Sequence, residues 1–275
     1  MLKIVWLLAI PVLSQSAVPH RAEMKAVSVS AKAKFTAQEK VYHYILGSTQ
    51  VAVQVSTFGD RKNIVMLNVH DDEITSVEAA RNVLENTGGI LVNINNNYER
   101  LMSFTLHGKT WVFDPNRIFT RNGIVNNLAK LNNACALPAV KAIEGFARFL
   151  LSKIPRTSTL IALHNNDHRN FSIGSYLDDA KYKKNVQAIH SNDNHDEDNF
   201  FLTTDRKLYQ TLRVSGFNVI LQHKKADDDG SLSVYFGRRN KSYVNVEAEI
   251  GKVKEQEYMI GRVVSWINKE ISKGI

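Results

Sequence analysis

A single cysteine, at position 135, is the first constraint in this 275-residue chain, because it forbids an intramolecular disulfide. The fold must therefore stand on its hydrophobic core alone. Beyond the first residues no segment is long and apolar enough for a membrane helix. Although the net charge is +8 and the pI near 9.4, no basic run is interleaved with aromatics, so a nucleic-acid partner is not indicated. The charge reads as solubility, with attraction to an anionic cell envelope or an acidic substrate. Asp227-Asp228-Asp229-Gly230 lacks the spacing of a calcium loop and reads as a turn.

With 44% hydrophobic and 23% charged residues, the chain has the composition of one globular domain. At its start, Lys3 precedes the apolar run Ile4 to Leu13, and Ser14-Gln15-Ser16 offers small residues to a signal peptidase. Residues 1–16 thus read as a signal peptide, implying a secreted or periplasmic protein. Residues 17–49 form a lead-in with at most an edge strand, and residues 50–275 the main domain. Cys135, at a helix entrance and without a clear histidine partner, reads as core.

The organising stretch is Asn63 to Glu73, NIVMLNVHDDE. A continuous apolar run ending in polar residues is the pattern of an inner parallel strand whose carboxyl end opens onto a site. Thr75 to Asn86 has the spacing of a helix stopped by Gly88-Gly89, and Ile90 to Ile94 is the next buried strand. Strand, helix and strand in this order predict a single α/β domain, with a mostly parallel or mixed central sheet and helices on both faces. Residues 136–153 and Gln256 to Ile271 read as amphipathic helices.

Three places carry candidate chemistry. His70 and Glu73, two residues apart just past a strand, can turn toward one point and suit Zn²⁺; they equally fit a solvated loop and an acidic helix start. The run Thr159 to Leu163 delivers His164 in the same manner, a third ligand for that pair. In WVFDPNRIFTR, Asn116-Arg117 is held against the apolar Ile118-Phe119, so Arg117 either grips a carboxylate or lies exposed after an Asp-Pro turn. Ser242 to Gly251 places Tyr243, Asn245, Glu247 and Glu249 on one strand face, either a solvated edge or the wall of a cleft. The polar stretch 164–205 reads as a loop over the site mouth, and His195, Asp196 and Asp198 offer a second metal-ligand set.

Taken in order, His70-Asp71-Asp72-Glu73, then Asp114-Pro115-Asn116-Arg117-Ile118-Phe119, then His164-Asn165-Asn166, then Glu247, this chain resembles the zinc carboxypeptidase superfamily. That superfamily also contains the aspartoacylase and succinylglutamate desuccinylase amidohydrolases, and the resemblance spans about residues 50–251. It implies one Zn²⁺ held by His70, Glu73 and His164. It implies Glu247 as general base, Arg100 at the oxyanion, and Asn116 with Arg117 on the substrate's free carboxylate. The substrate implied is a peptide or an acyl-amino acid. Two departures stand out: Asp71-Asp72 makes the site more acidic than usual, and Glu249 beside Glu247 competes for the role of base or contacts substrate.

Overall fold

The apolar runs that end in polar residues become the inner strands of one large sheet. The computed structural model describes residues 34–166 and 171–274. The expected signal peptide, and the lead-in as far as residue 33, lie outside the described residues. From the amino end, the chain runs β1 (Ala37–Leu46), β2 (Thr49–Phe58), β3 (Ile64–Asn68), α1 (Ile74–Thr87) and β4 (Gly89–Asn95). A small hairpin follows, β5 (Met102–Leu106) and β6 (Lys109–Phe113), then α2 (Arg121–Asn132), α3 (Leu137–Leu151) and β7 (Thr159–Asn166). Two short helices, α4 (Gly174–Asp178) and α5 (Ala180–Lys183), lead to β8 (Val186–His190), β9 (Phe200–Thr203), α6 (Arg206–Val214) and β10 (Val219–Gln222). The chain closes with α7 (Leu232–Gly237), β11 (Tyr243–Glu249) and α8 (Val253–Ser272).

Nine strands pair in the order β1-β2-β4-β3-β7-β11-β9-β10-β8. The middle four, β4, β3, β7 and β11, are mutually parallel, and antiparallel strands β2 and β9 flank them. The sheet is therefore mixed, with a parallel centre. All five residues of β3 are buried because both faces are covered. Val65 and Leu67 pack into the cluster holding Ile143 and Phe146 of α3; Ile64 and Met66 meet Ala80 and Leu84 of α1 and Ile260 and Val264 of α8. Each such side chain, fully buried, contributes about 1.5–3 kcal/mol, which is how a disulfide-free chain sustains the fold.

Local signals place the helices. Gly88 at the end of α1 adopts φ 73°, a left-handed conformation that favours glycine, and its N–H caps Leu84 O at 2.8 Å. The start of α1 differs from a Thr/Ser cap: the capping position is Glu73, which makes no side-chain cap because its carboxylate is engaged elsewhere.

One expectation about the fold needs correction, that for Cys135. β1 lies inside the segment read as a lead-in with at most an edge strand; it is the edge strand of the sheet, mostly exposed, with Tyr42, Tyr44 and Leu46 turned inward between the exposed Val41, His43 and Ile45. Cys135 is exposed, one residue before the Ala136 cap of α3, and is not part of the core. Among the described residues, no helix is long and apolar enough to cross a membrane.

Candidate metal centre and cleft

β3 and β7 are parallel neighbours, with Leu67 paired to Ala162, so the residues beyond Leu67 and Ala162 emerge at the same sheet edge. That pairing brings His70 and His164 together. β7 also pairs in parallel with β11, where Glu247 lies opposite His164. The turn after β3 is fixed by Asn68, whose Nδ2 donates to His70 O and to Asn93 Oδ1, each at 2.9 Å. Glu73 N–H then closes onto His70 O at 3.1 Å and points the Glu73 carboxylate back at the imidazole.

The resulting group is compact and buried. His70 Nδ1 meets Glu73 Oε1 at 3.1 Å, His164 Nδ1 meets Glu73 Oε2 at 2.9 Å, and the two imidazole centroids are 5.2 Å apart. One ligand atom from each of the three residues lies within 4.8 Å of the others. Tetrahedral zinc with bonds of about 2.0–2.2 Å needs ligand separations of roughly 3.5 Å, so a small contraction suffices.

The outer contacts fit the same donor set. His70 Nε2 meets Asp114 Oδ1 at 2.9 Å, and Asp114 is itself fixed by N–H donation from Asn116 and a bond to Asn127. A carboxylate on the far nitrogen leaves Nδ1 free of its proton for a metal. Asn116 approaches His164 Nε2 at 3.5 Å, and its Oδ1 is buried without a partner. A metal on His164 Nδ1 puts the proton on Nε2, and turning the Asn116 amide would supply the missing acceptor. Two imidazoles and one carboxylate, so buttressed, fit Zn²⁺.

Electrostatics follow the geometry. Burial opposes charge on His70, but the Glu73 and Asp114 carboxylates outweigh it and push the imidazole up to about 9. Burial would raise Glu73, yet the two imidazoles hold it well below the usual carboxylate range. Against its own burial, Asp114 is held down to about 2 by the hydrogen bond from His70. Glu247 goes the other way: burial pushes it up, and His164 only partly offsets this. Two carboxylates a few residues apart in space thus have opposite proton affinities, a division suited to a ligand and a base.

A cavity of about 570 Å³ opens in front of this group, within the usual range for ligand sites. Glu247, Asn245 and Tyr243 of β11 line it, with Glu247 Oε1 accepting from Asn245 Nδ2 at 3.0 Å. Arg100 lines it too, its Nη1 donating to Glu73 Oε1 at 2.6 Å. Asn116 and Arg117 also line it, from the short turn Pro115–Arg117 beside the metal group. Glu249 does not line the cavity, which corrects its expected place beside Glu247. The reason is that β11 ends there: its N–H is tied to Asn199 Oδ1 and its carboxylate lies 3.8 Å from Lys252.

Several contributors carried no local signal. Gln256 of α8 is fully buried and donates to His164 O, while its Oε1 accepts from Asn165 Nδ2, both at 2.9 Å. Asp229 receives a hydrogen bond from Arg117. Tyr176, half-buried at the cavity, is raised above the ordinary phenol range by desolvation and the Glu247 charge. From the polar stretch 164–205, Phe171, Tyr176, Tyr182 and Asn185 line the cavity, whereas residues 191–199 do not. Among the described residues the His70, Glu73 and His164 group is the one metal-ligand cluster, so His195, Asp196 and Asp198 form none.

No family model and no curated protein matches the chain. Among solved structures it is similar to a candidate metallopeptidase from Shewanella denitrificans, at 12% identity over 82% of this chain and 84% of that one, TM-score 0.41. It is similar to an aspartoacylase family protein from Mesorhizobium loti at 12% identity, over 82% and 65% of the two chains, TM-score 0.41. A murein-tripeptide amidase from Escherichia coli O157 matches at 10% identity, over 85% and 92%, TM-score 0.39.

Proposed function

We propose that this chain is an exported, zinc-dependent amide hydrolase of the carboxypeptidase type, removing a residue with a free carboxylate from peptides or cell-wall stem peptides. The observation that carries this reading is the convergence of His70, Glu73 and His164 from neighbouring strands, with Glu247 directly across the β7–β11 ladder. Export rests on the amino-terminal sequence alone.

Zinc, when bound, supplies Lewis-acid polarisation and an acidified water. The protein's own groups do the rest. Glu247, buried and raised in proton affinity, takes the proton of the attacking water and returns it to the leaving amine. Arg100, whose guanidinium already reaches the metal group, faces the developing oxyanion. Arg117 and Asn116, which line the same cavity, orient the substrate carboxylate. Metal analysis of the purified protein, followed by digestion of a peptide library and of N-acyl amino acids, tests the reading. Stoichiometric zinc with cleavage only at free carboxyl ends supports it. Preferential hydrolysis of N-acyl amino acids would move it to an aspartoacylase-like amidohydrolase, and metal binding without turnover would reduce it to a carboxylate-binding module.

A further inference from the structure

Arg100 reaches the metal group from the end of a loop, and that loop is tied down by Asp71. β3 and β4 are parallel neighbours, so the segments that follow them run side by side past the sheet edge. From the first segment Asp71 uses one oxygen, Oδ2, to accept both Asn96 N–H at 2.6 Å and Tyr98 N–H at 2.9 Å. Between and beside these bonds the backbone is left-handed at two successive non-glycine residues, Asn97 at φ 53° and Tyr98 at φ 60°, a conformation that asparagine tolerates but tyrosine disfavours. Packing does not impose it, because Tyr98 is 77% exposed. The Asn96 side chain completes the frame by donating to Glu99 O at 2.9 Å and Leu101 O at 3.0 Å, on either side of Arg100. The neighbouring Asp72 does not share this role: its contact with Arg100 is 4.0 Å, a loose attraction between half-exposed groups.

We propose that Asp71 is the positioning residue for Arg100, holding the 96–101 loop in its left-handed course so that the guanidinium stands at the metal group. The part played by Arg100 in turnover rests on the proposed hydrolase reading; the clamp on the loop does not. What the clamp needs is an acceptor oxygen rather than a charge, so asparagine can replace Asp71 and alanine cannot. The test uses the full zinc-loaded chain, a library of N-capped dipeptides with free carboxyl ends, and amide hydrogen exchange. In Asp71→Ala, the Asn96 and Tyr98 amides should exchange at least tenfold faster, and kcat should fall at least tenfold with KM within threefold. Asp71→Asn should restore both to within threefold. In an Arg100→Ala background, Asp71→Ala should add no further loss, since the two act as one device. Unchanged exchange in Asp71→Ala overturns the clamp, and a multiplicative loss in the double variant overturns its action through Arg100. If Arg100→Ala keeps full turnover, the catalytic role of Arg100 fails while the exchange result still decides the clamp.

Discussion

The Arg117 guanidinium donates to the Asp229 carboxylate, Nη1 to Oδ2 at 2.6 Å, on the wall of the cavity in front of the metal group. Asp229 cannot swing away easily, because its Oδ1 accepts from both Ser231 N–H and Ser231 Oγ. An incoming carboxylate therefore shares the arginine fork with a resident one. The pair is partly exposed, 36% for Arg117 and 49% for Asp229, and such pairs contribute about 0.2–1 kcal/mol. Asp229→Asn should lower KM for carboxyl-terminal substrates by up to about fivefold with kcat nearly unchanged. Amidating that carboxylate, or Arg117→Lys, should weaken transition-state binding by roughly ten- to a hundredfold, because the charge-assisted, forked bond is lost. Steady-state kinetics on matched free-acid and amide peptides check both, and efficient cleavage of amidated peptides at internal bonds would remove Arg117 from this role.

The two glutamates of β11 should behave differently. Glu247 lines the cavity with a burial-raised proton affinity, whereas Glu249 is tied into the turn by Asn199 and Lys252. Glu247→Gln should retain the metal and lose about 10²–10⁴ in kcat, the usual contribution of a general base. Glu249→Gln should cost less than about threefold, with only a small loss of stability. Metal content and kcat measured on both proteins decide it, and the opposite ranking would assign the base to Glu249.

What the chain disclosed in advance divides along a physical line. His70 and His164 were legible because each ends an apolar run, and strands buried on both faces announce themselves by composition. Glu247 followed from strand alternation, but alternation continues to Glu249, the last residue of β11, so the two could not be separated. Gln256, Asp229 and the carboxylate of Asp114 on His70 were not legible as partners, since each acts across a tertiary contact between segments far apart in sequence. β1 was legible only as an allowed edge strand, because its inward row, Tyr42, Tyr44 and Leu46, is short and the rest of the strand is exposed.

Gln256 yields a stability prediction. It is completely buried and bonds His164 O and the Asn165 side chain, joining α8 to the strand that carries His164. Gln256→Leu preserves volume approximately but leaves the His164 carbonyl without this partner. A loss of about 1–3 kcal/mol is expected, seen as a lower midpoint at unchanged slope in urea unfolding. Zinc affinity should fall as well, because His164 loses its backbone tie. A stability change below about 0.5 kcal/mol, with affinity unaltered, would show the contact to be incidental.

Proton linkage supplies the last prediction. In the metal-free protein His70 is raised from 6.5 to about 9, against the pull of burial, by Glu73 and Asp114, while Glu73 is lowered from 4.5. A group raised on folding stabilises below its unfolded value and loses that contribution as pH climbs through the folded one. His70 therefore stabilises the metal-free fold fully below pH 6.5 and ceases to do so as pH passes about 9. Glu73 is the converse, contributing above pH 4.5 and losing its contribution as pH falls toward its lowered native value. Zinc must displace the His70 proton to reach Nδ1, so binding below about 9 releases at least one proton. The association constant should rise about tenfold per pH unit through the neutral range and level off as pH approaches the His70 value. Thermal stability without metal should decline over the same interval in which zinc affinity grows, so the stabilisation by a fixed zinc concentration widens with pH. Competition titrations against a chelator of known proton dependence, with calorimetry in two buffers of different ionisation enthalpy, measure the proton count directly. An affinity independent of pH between 6 and about 8.5, or no proton release, would mean that His70 is not a ligand and that its bonds to Glu73 and Asp114 are structural.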